Sequence, residues 1–176
     1  MEDTFRLLDA LERASLIDYD ESSLDPLAVQ PRLRKLSIKG AGGLETLSGL
    51  DALEAIEQLR IAAAPDLTDL FALGSRLPAL TDLRFESCPG IDMLDEITEQ
   101  TGLRWLGVND CGRIDSIRPL TRLSHLERFH AWESTRVMDN DLSPLLSLPK
   151  LVEVATRDRR DYRPRVKDIQ KHLATR

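Results

Sequence analysis

A six-residue pattern, aliphatic-x-x-aliphatic-x-aliphatic, recurs along this chain and constrains its fold more than any other feature. It reads Leu33/Leu36/Ile38, Ile56/Leu59/Ile61, Leu80/Leu83/Phe85 and Leu103/Leu106/Val108, then weaker as Leu126/Phe129/Ala131 and weakest as Leu151/Val154/Thr156. The steps between copies are 23, 24, 23, 23 and 25 residues. A fixed period of this size means stacked supersecondary units, none of which can bury its apolar face alone. The rest of each unit repeats as well. Three residues after the last strand apolar stands a small side chain, Ala41, Ala64, Cys88, Cys111 or Ser134. An aliphatic follows three residues later, at Leu44, Leu67, Ile91 and Ile114, and one residue late at Met138. Apolar residues then step by three, as in Leu44/Leu47/Leu50/Leu53, which suits a 3₁₀-like return path better than a long α-helix. Pro65, Pro89, Pro119 and Pro144 fall in these returns, where they remove no ladder hydrogen bond. Asp92–Gln100 has the pattern of a short helix stopped at Gly102.

On these residues the chain resembles the leucine-rich repeat family, in its short stand-alone bacterial form, over residues 11–157. The resemblance implies an α/β solenoid: a curved, parallel, concave β-sheet of about six strands, a convex side of 3₁₀ and short helical turns, and caps at both ends. The small position departs from the family, which usually has Asn or Cys there. Ala41 and Ala64 cannot hydrogen-bond through their side chains, so the first two turns need other backbone partners.

A single domain over 1–176 is expected, with an N-terminal cap at 1–32, repeats at 33–157 and a C-terminal cap at 158–176. The first cap is a degenerate unit, Leu11, Ala14, Leu16, Leu24 and Leu27, whose polar residues would shield the first strand. Val166, Ile169, His172 and Leu173 repeat at helical spacing, predicting a helix over 164–174 with Pro164 in its first turn. The N-terminus lacks an apolar signal region and no apolar run is long enough to span a bilayer, so a cytoplasmic protein is expected. The net charge is −6, from 24 basic and 30 acidic residues, which argues against general nucleic-acid or membrane binding. The charge is uneven: residues 1–30 carry eight acidic and two basic side chains, residues 152–176 eight basic and four acidic.

If the leucines point inward, the intervening residues form columns on an exposed face. The first is Lys35, Gln58, Asp82, Trp105, Arg128, Glu153. The second is Ser37, Arg60, Arg84, Gly107, His130, Ala155, and the third Lys39, Ala62, Glu86, Asn109, Trp132, Arg157. Both tryptophans lie on this face. Gly107, between Arg84 and His130, would leave a shallow hollow with Trp105 and Trp132 at its rim. Exposed Trp beside Arg is the composition of a binding hot spot, and packing over neighbouring aliphatic stems is the alternative. The candidate partner-binding residues are Arg60, Arg84, Glu86, Trp105, Asn109, Arg128, His130, Trp132 and Arg157. Arg60 and Arg84 have the alternative of pairing with Asp82 and Glu86.

Catalytic and metal chemistry find little support. Cys88 and Cys111 share a repeat position and read as buried small hydrophobes. There is no C-x-x-C, no calcium loop, and no Gly-Lys-Ser/Thr after Lys39-Gly-Ala-Gly-Gly. His130, with Asp110 and Glu133 as candidate orienting groups, has no nucleophile in its columns. No enzyme activity, cofactor or metal is expected. The expected function is protein binding on the concave face. The segments Trp132–Leu146 and Arg159–Pro164 look like the close of immunity-type relatives, which implies a cognate toxin as one partner. The alternative is a nucleic-acid-binding or scaffold subunit using Arg157, Arg159, Arg160, Arg163 and Arg165 around Tyr162.

Overall fold

The computed structural model describes residues 11–176. The acidic first ten residues, including the start of the expected N-terminal cap, lie outside the described residues. In chain order the strands are β1 (Arg13–Ile17), β2 (Lys35–Lys39), β3 (Gln58–Ala62), β4 (Asp82–Glu86), β5 (Trp105–Asn109), β6 (Arg113–Ile114), β7 (Arg128–Ala131), β8 (Arg136–Val137) and β9 (Glu153–Thr156). Among the described residues one α-helix, α1 (Val166–Leu173), packs against β9. Seven strands form one parallel sheet in the order β1-β2-β3-β4-β5-β7-β9, and β6 pairs with β8 beside it. The register follows the leucines: Leu36 faces Leu59, Leu59 faces Leu83, Leu83 faces Leu106 and Leu106 faces Phe129. These side chains are at most 2% exposed, and each fully buried one contributes about 1.5–3 kcal/mol of transfer free energy.

The sheet has one strand more than the expected six. Leu11, Ala14 and Leu16 are a true copy of the strand pattern, so the N-terminal unit adds β1 to the sheet instead of only shielding its edge. The returns are 3₁₀ turns throughout the repeats, including Asp95–Glu99, where a short helix was expected. Apolar residues three apart stay on one side of a three-residue turn, which is why Leu44, Leu47, Leu50 and Leu53 are all buried. Most returns begin with a side chain bonded to the backbone N–H two residues on. Ser23, Thr46, Asp69, Ser116 and Asp141 do this for Asp25, Ser48, Phe71, Arg118 and Ser143. Met93 breaks that series and stands exposed.

The turns after the first six strands of the large sheet use one backbone conformation. Asp18, Gly40, Ala63, Ser87, Asp110 and Glu133 all have φ between 53° and 72°, and only one of them is glycine. The first two turns solve the missing-side-chain problem through the backbone. Gly40 and Ala41 donate to the carbonyls of Ala62 and Ala63, and Ala63 donates to Glu86. One turn differs from expectation. Ser134 is exposed and the buried position is taken by Thr135, while Val137, in register with Ile114, rather than Met138 is the aliphatic that follows. Thr135 Oγ1 donates to the Val108 carbonyl at 2.5 Å and accepts from the Cys111 N–H at 3.0 Å. The hydroxyl thereby satisfies backbone groups in the preceding unit.

The C-terminal helix is shorter than its periodicity suggested. It begins after Arg165, whose backbone is extended, so Pro164 precedes it instead of lying in its first turn. Gln170 Nε2 donates to the Val154 carbonyl at 3.1 Å, tying the helix to the last strand. Tyr162 is fully buried and its hydroxyl accepts from the Val137 N–H at 2.9 Å. Gln100 is also buried: Nε2 donates to the Leu73 and Ser75 carbonyls and Oε1 accepts from Leu77. It secures the return within the one 24-residue step, from Ile56 to Leu80.

Candidate functional site

Strand alternation puts the variable residues of β1–β5, β7 and β9 on the concave face in the columns read from the sequence, now extended by Arg13, Ser15 and Ile17 of β1. Seven parallel strands give a face about 29 Å across. It holds seven basic side chains, Arg13, Lys35, Lys39, Arg60, Arg84, Arg128 and Arg157, against three acidic ones, Asp82, Glu86 and Glu153. The face is therefore basic on a chain whose net charge is −6.

Trp105 is the centre of a stack. The Arg84 guanidinium lies 3.3 Å from its ring centroid and that of Arg128 lies 4.1 Å away. His130 meets the ring edge-on, with centroids 5.5 Å apart. Each cation–π contact of this kind is worth about 0.5–2 kcal/mol. Arg84 is held in place by Asp82, whose carboxylate accepts from Nε at 2.7 Å and from Nη2 at 2.5 Å. Its stem also crosses Gly107: a Cβ built there would lie 3.5 Å from Arg84 Cγ. The expected hollow at Gly107 is thus closed, because a long side chain in the adjacent strand covers the space that glycine leaves.

His130 is oriented by a residue other than the two expected. Its Nε2 lies 2.8 Å from Glu153 Oε1, across the β7–β9 pair. Asp110 instead accepts from the hydroxyls of Ser134 and Ser87, which hold its carboxyl below the usual carboxylate range. Asn109 Oδ1 accepts the Trp132 backbone N–H at 3.0 Å, so it supports that residue. Trp132 follows β7, apart from the Trp105 stack, and is 47% exposed. Arg60 pairs with Glu86 across two strands at 2.5 Å, with both side chains about half exposed. Arg157 is exposed at the end of β9. The structure thus joins Arg84, Trp105, Arg128 and His130 in one cluster, links Asn109 to Trp132, pairs Arg60 with Glu86, and leaves Arg157 apart.

The arginine-rich C-terminal segment is largely engaged with the chain itself. Arg165 bonds Asp158 through two nitrogens, at 3.0 and 2.6 Å, and this lowers the Asp158 pKa. Asp161 pairs with Arg136, Arg159 donates to the Thr135 carbonyl, and Arg163 donates to the carbonyls of Arg160 and Tyr162. With Tyr162 in the core, its ring is not available to stack on a base. Cys88 and Cys111 are buried free thiols, and a hydrogen bond with the Cys88 sulfur together with burial pushes the Cys111 thiol up. Off the sheet, a crevice of about 480 Å³ lies beside Met93, lined by Asp95, Asp115, Arg118 and Asp139. Among the described residues no cluster could hold a metal ion, and no helix is long and apolar enough to cross a membrane.

Sequence reasoning missed the basic corner formed by Arg13, Lys35 and Lys39. The signal was present: Leu11/Ala14/Leu16 lies 22 residues before Leu33/Leu36/Ile38 and sets Arg13 opposite Lys35.

A sheet of parallel strands one per repeat, with 3₁₀ returns and stacked leucines, defines a leucine-rich repeat solenoid. No family model and no curated protein matches the sequence. Solved structures do. Internalin C2 of Listeria monocytogenes superimposes with a TM-score of 0.67 at 24% identity, over 89% of this chain and 68% of its own. A second Listeria monocytogenes internalin, internalin F, gives 0.58 at 19% identity, over 86% of this chain and 49% of its own. A leucine-rich repeat protein of Leptospira interrogans gives 0.53 at 14% identity, over 99% of this chain and 50% of its own. The chain has the leucine-rich repeat fold of these proteins and spans about half the length of the latter two.

Proposed function

We propose that this protein is a non-enzymatic binding module that holds a partner protein on its concave face. The observation that carries this reading is Trp132. It is a large aromatic left 47% exposed on the face, with its backbone fixed by Asn109 and a rigid Arg–Trp–Arg cluster in the neighbouring columns. A preorganised aromatic beside arginines is what interface anchors are made of. Among the nine candidates, Trp132 and Arg157 present free surface, Arg60 and Glu86 form a half-exposed pair, and Arg84, Trp105, Asn109, Arg128 and His130 hold the platform. The narrower form of the reading is a toxin-neutralising immunity protein in the cytoplasm. It is supported by the resemblance in the C-terminal segment and by two free thiols.

The test is affinity capture from the native source with mass spectrometry and cross-link mapping, comparing wild type with Trp132→Ala. A partner cross-linked to the concave face and lost with Trp132→Ala supports the proposal. Cross-links confined to the convex side overturn it. Rescue of cells expressing the captured partner would establish the toxin-neutralising form.

A further inference from the structure

Among the described residues, four arginine–carboxylate pairs join neighbouring repeats of this solenoid. Arg34 pairs with Glu57, Arg60 with Glu86, Arg104 with Glu127 and Arg136 with Asp161. Each joins a repeat to the next. The corner formed by β1 and β2 holds no such pair among the described residues. Arg13 and Lys35 are directly opposed strand partners, and Lys39 lies four residues further along β2. None of the three has an ion-pair partner among the described residues. Like charges placed directly opposite are destabilising. The ion pairs among the described residues all lie elsewhere.

The corner has the form of a recognition surface. The three cations bracket an area of about 5 by 13 Å, with the Ser15 and Ser37 hydroxyls between them. Ile17, 73% exposed, adds an apolar edge beside Lys39. We infer that this corner receives a cluster of carboxylates on an acidic protein partner. The inference rests on the concave-face reading above and adds the chemistry of what binds there. A protein is favoured over a nucleic acid because the corner offers no aromatic ring for a base. Further along the face Arg60, Arg84 and Arg128 are engaged by Glu86, Asp82 and Trp105, so a local ridge of carboxylates on a folded partner suits the corner better than a long polyanion.

The experiment is a titration of the isotope-labelled full chain, followed by backbone amide shifts. The probes are poly-L-glutamate, poly-L-lysine and a single-stranded oligodeoxynucleotide of about 20 nucleotides. Shifts concentrated at residues 13–17 and 35–39 with poly-L-glutamate alone are expected. They should weaken as salt shortens the screening length, and binding should fall at least about tenfold in Lys35→Glu/Lys39→Glu. Equal or stronger shifts with the oligonucleotide overturn the inference in favour of nucleic acid. Self-association that the charge-reversed variant abolishes assigns the corner to a second copy of the chain and also overturns it. No shift at the corner rejects it outright. The partner captured as described above separates the two readings. If Trp132→Ala releases it and Lys35→Glu/Lys39→Glu does not, concave-face binding stands and the carboxylate inference fails. If a partner cross-linked to the convex side survives both variants, both readings fail.

Discussion

Replacing Thr135 by Val tests how the irregular repeat is held. The side chain is 1% exposed, so the new methyl meets protein, and the shape is nearly unchanged. What is removed is the hydroxyl that donates to the Val108 carbonyl and accepts from the Cys111 N–H. A buried polar group left without a partner costs about 1–3 kcal/mol. With both groups affected, the loss is about 3 kcal/mol, or roughly 6–12 °C in Tm for a chain of this length. Thr135→Ser keeps both bonds and removes one methyl, for about 1 kcal/mol. Urea and thermal unfolding followed by circular dichroism would rank the three proteins, with the denaturant slope checking that the transition is unchanged. A Val variant as stable as the Ser variant would refute the claim that this hydroxyl holds the turn.

Three further outcomes are expected. Trp132→Ala should change stability by less than about 0.5 kcal/mol, whereas Trp105→Ala, by dissolving the two-arginine stack, should cost about 1–3 kcal/mol; equal losses in thermal melts would contradict the assignment of anchor and platform. Gly49 has φ +91° and a Cβ there would lie 2.6 Å from the Asp25 backbone nitrogen, so Gly49→Ala should cost well over about 1 kcal/mol in urea unfolding, while Gly42→Ala, with open space around it, should be nearly silent. The carboxyls of Asp110, Asp141 and Asp158 are all lowered, by hydroxyl and backbone hydrogen bonds at the first two and chiefly by Arg165 at the third. Their contribution is therefore complete above the unfolded carboxylate pKa near ~3.9 and is lost as pH falls through the lower folded values. Urea midpoints measured at pH 7, 4 and 3 should show a shallower acid decline for Asp158→Asn than for wild type.

The candidate face was legible to the extent that it follows from strand alternation. The column residues within the strands fall where the leucine register puts them, because the inward leucines leave the intervening side chains one direction to point, and Trp132 and Arg157 follow directly after β7 and β9. The relations among those residues were not legible. Nothing in the local pattern says that Arg84 lies across Gly107 and clamps Trp105, or that Glu153 rather than Asp110 meets His130. Those outcomes depend on the reach of long side chains across neighbouring strands, and several carboxylates lay within the same sequence distance. The role of Tyr162 was obscured for the same reason: a tyrosine among arginines resembles a binding motif until the cap folds and buries it.

By itself, the sequence determined the solenoid: its period, the facing of its strands, its 3₁₀ returns and the burial of its cysteines. These follow from side-chain periodicity, which acts over a few residues and is repeated in every unit. Tertiary structure alone decided where the pattern slips and what the face presents. The exchange of Thr135 for Ser134 at the buried position is set by hydrogen bonds to residues 24 and 27 positions earlier. The seventh strand gains its meaning only by pairing with β2. The unpaired basic corner exists because that pairing places Arg13 against Lys35, two charges 22 residues apart in the chain and adjacent in the sheet.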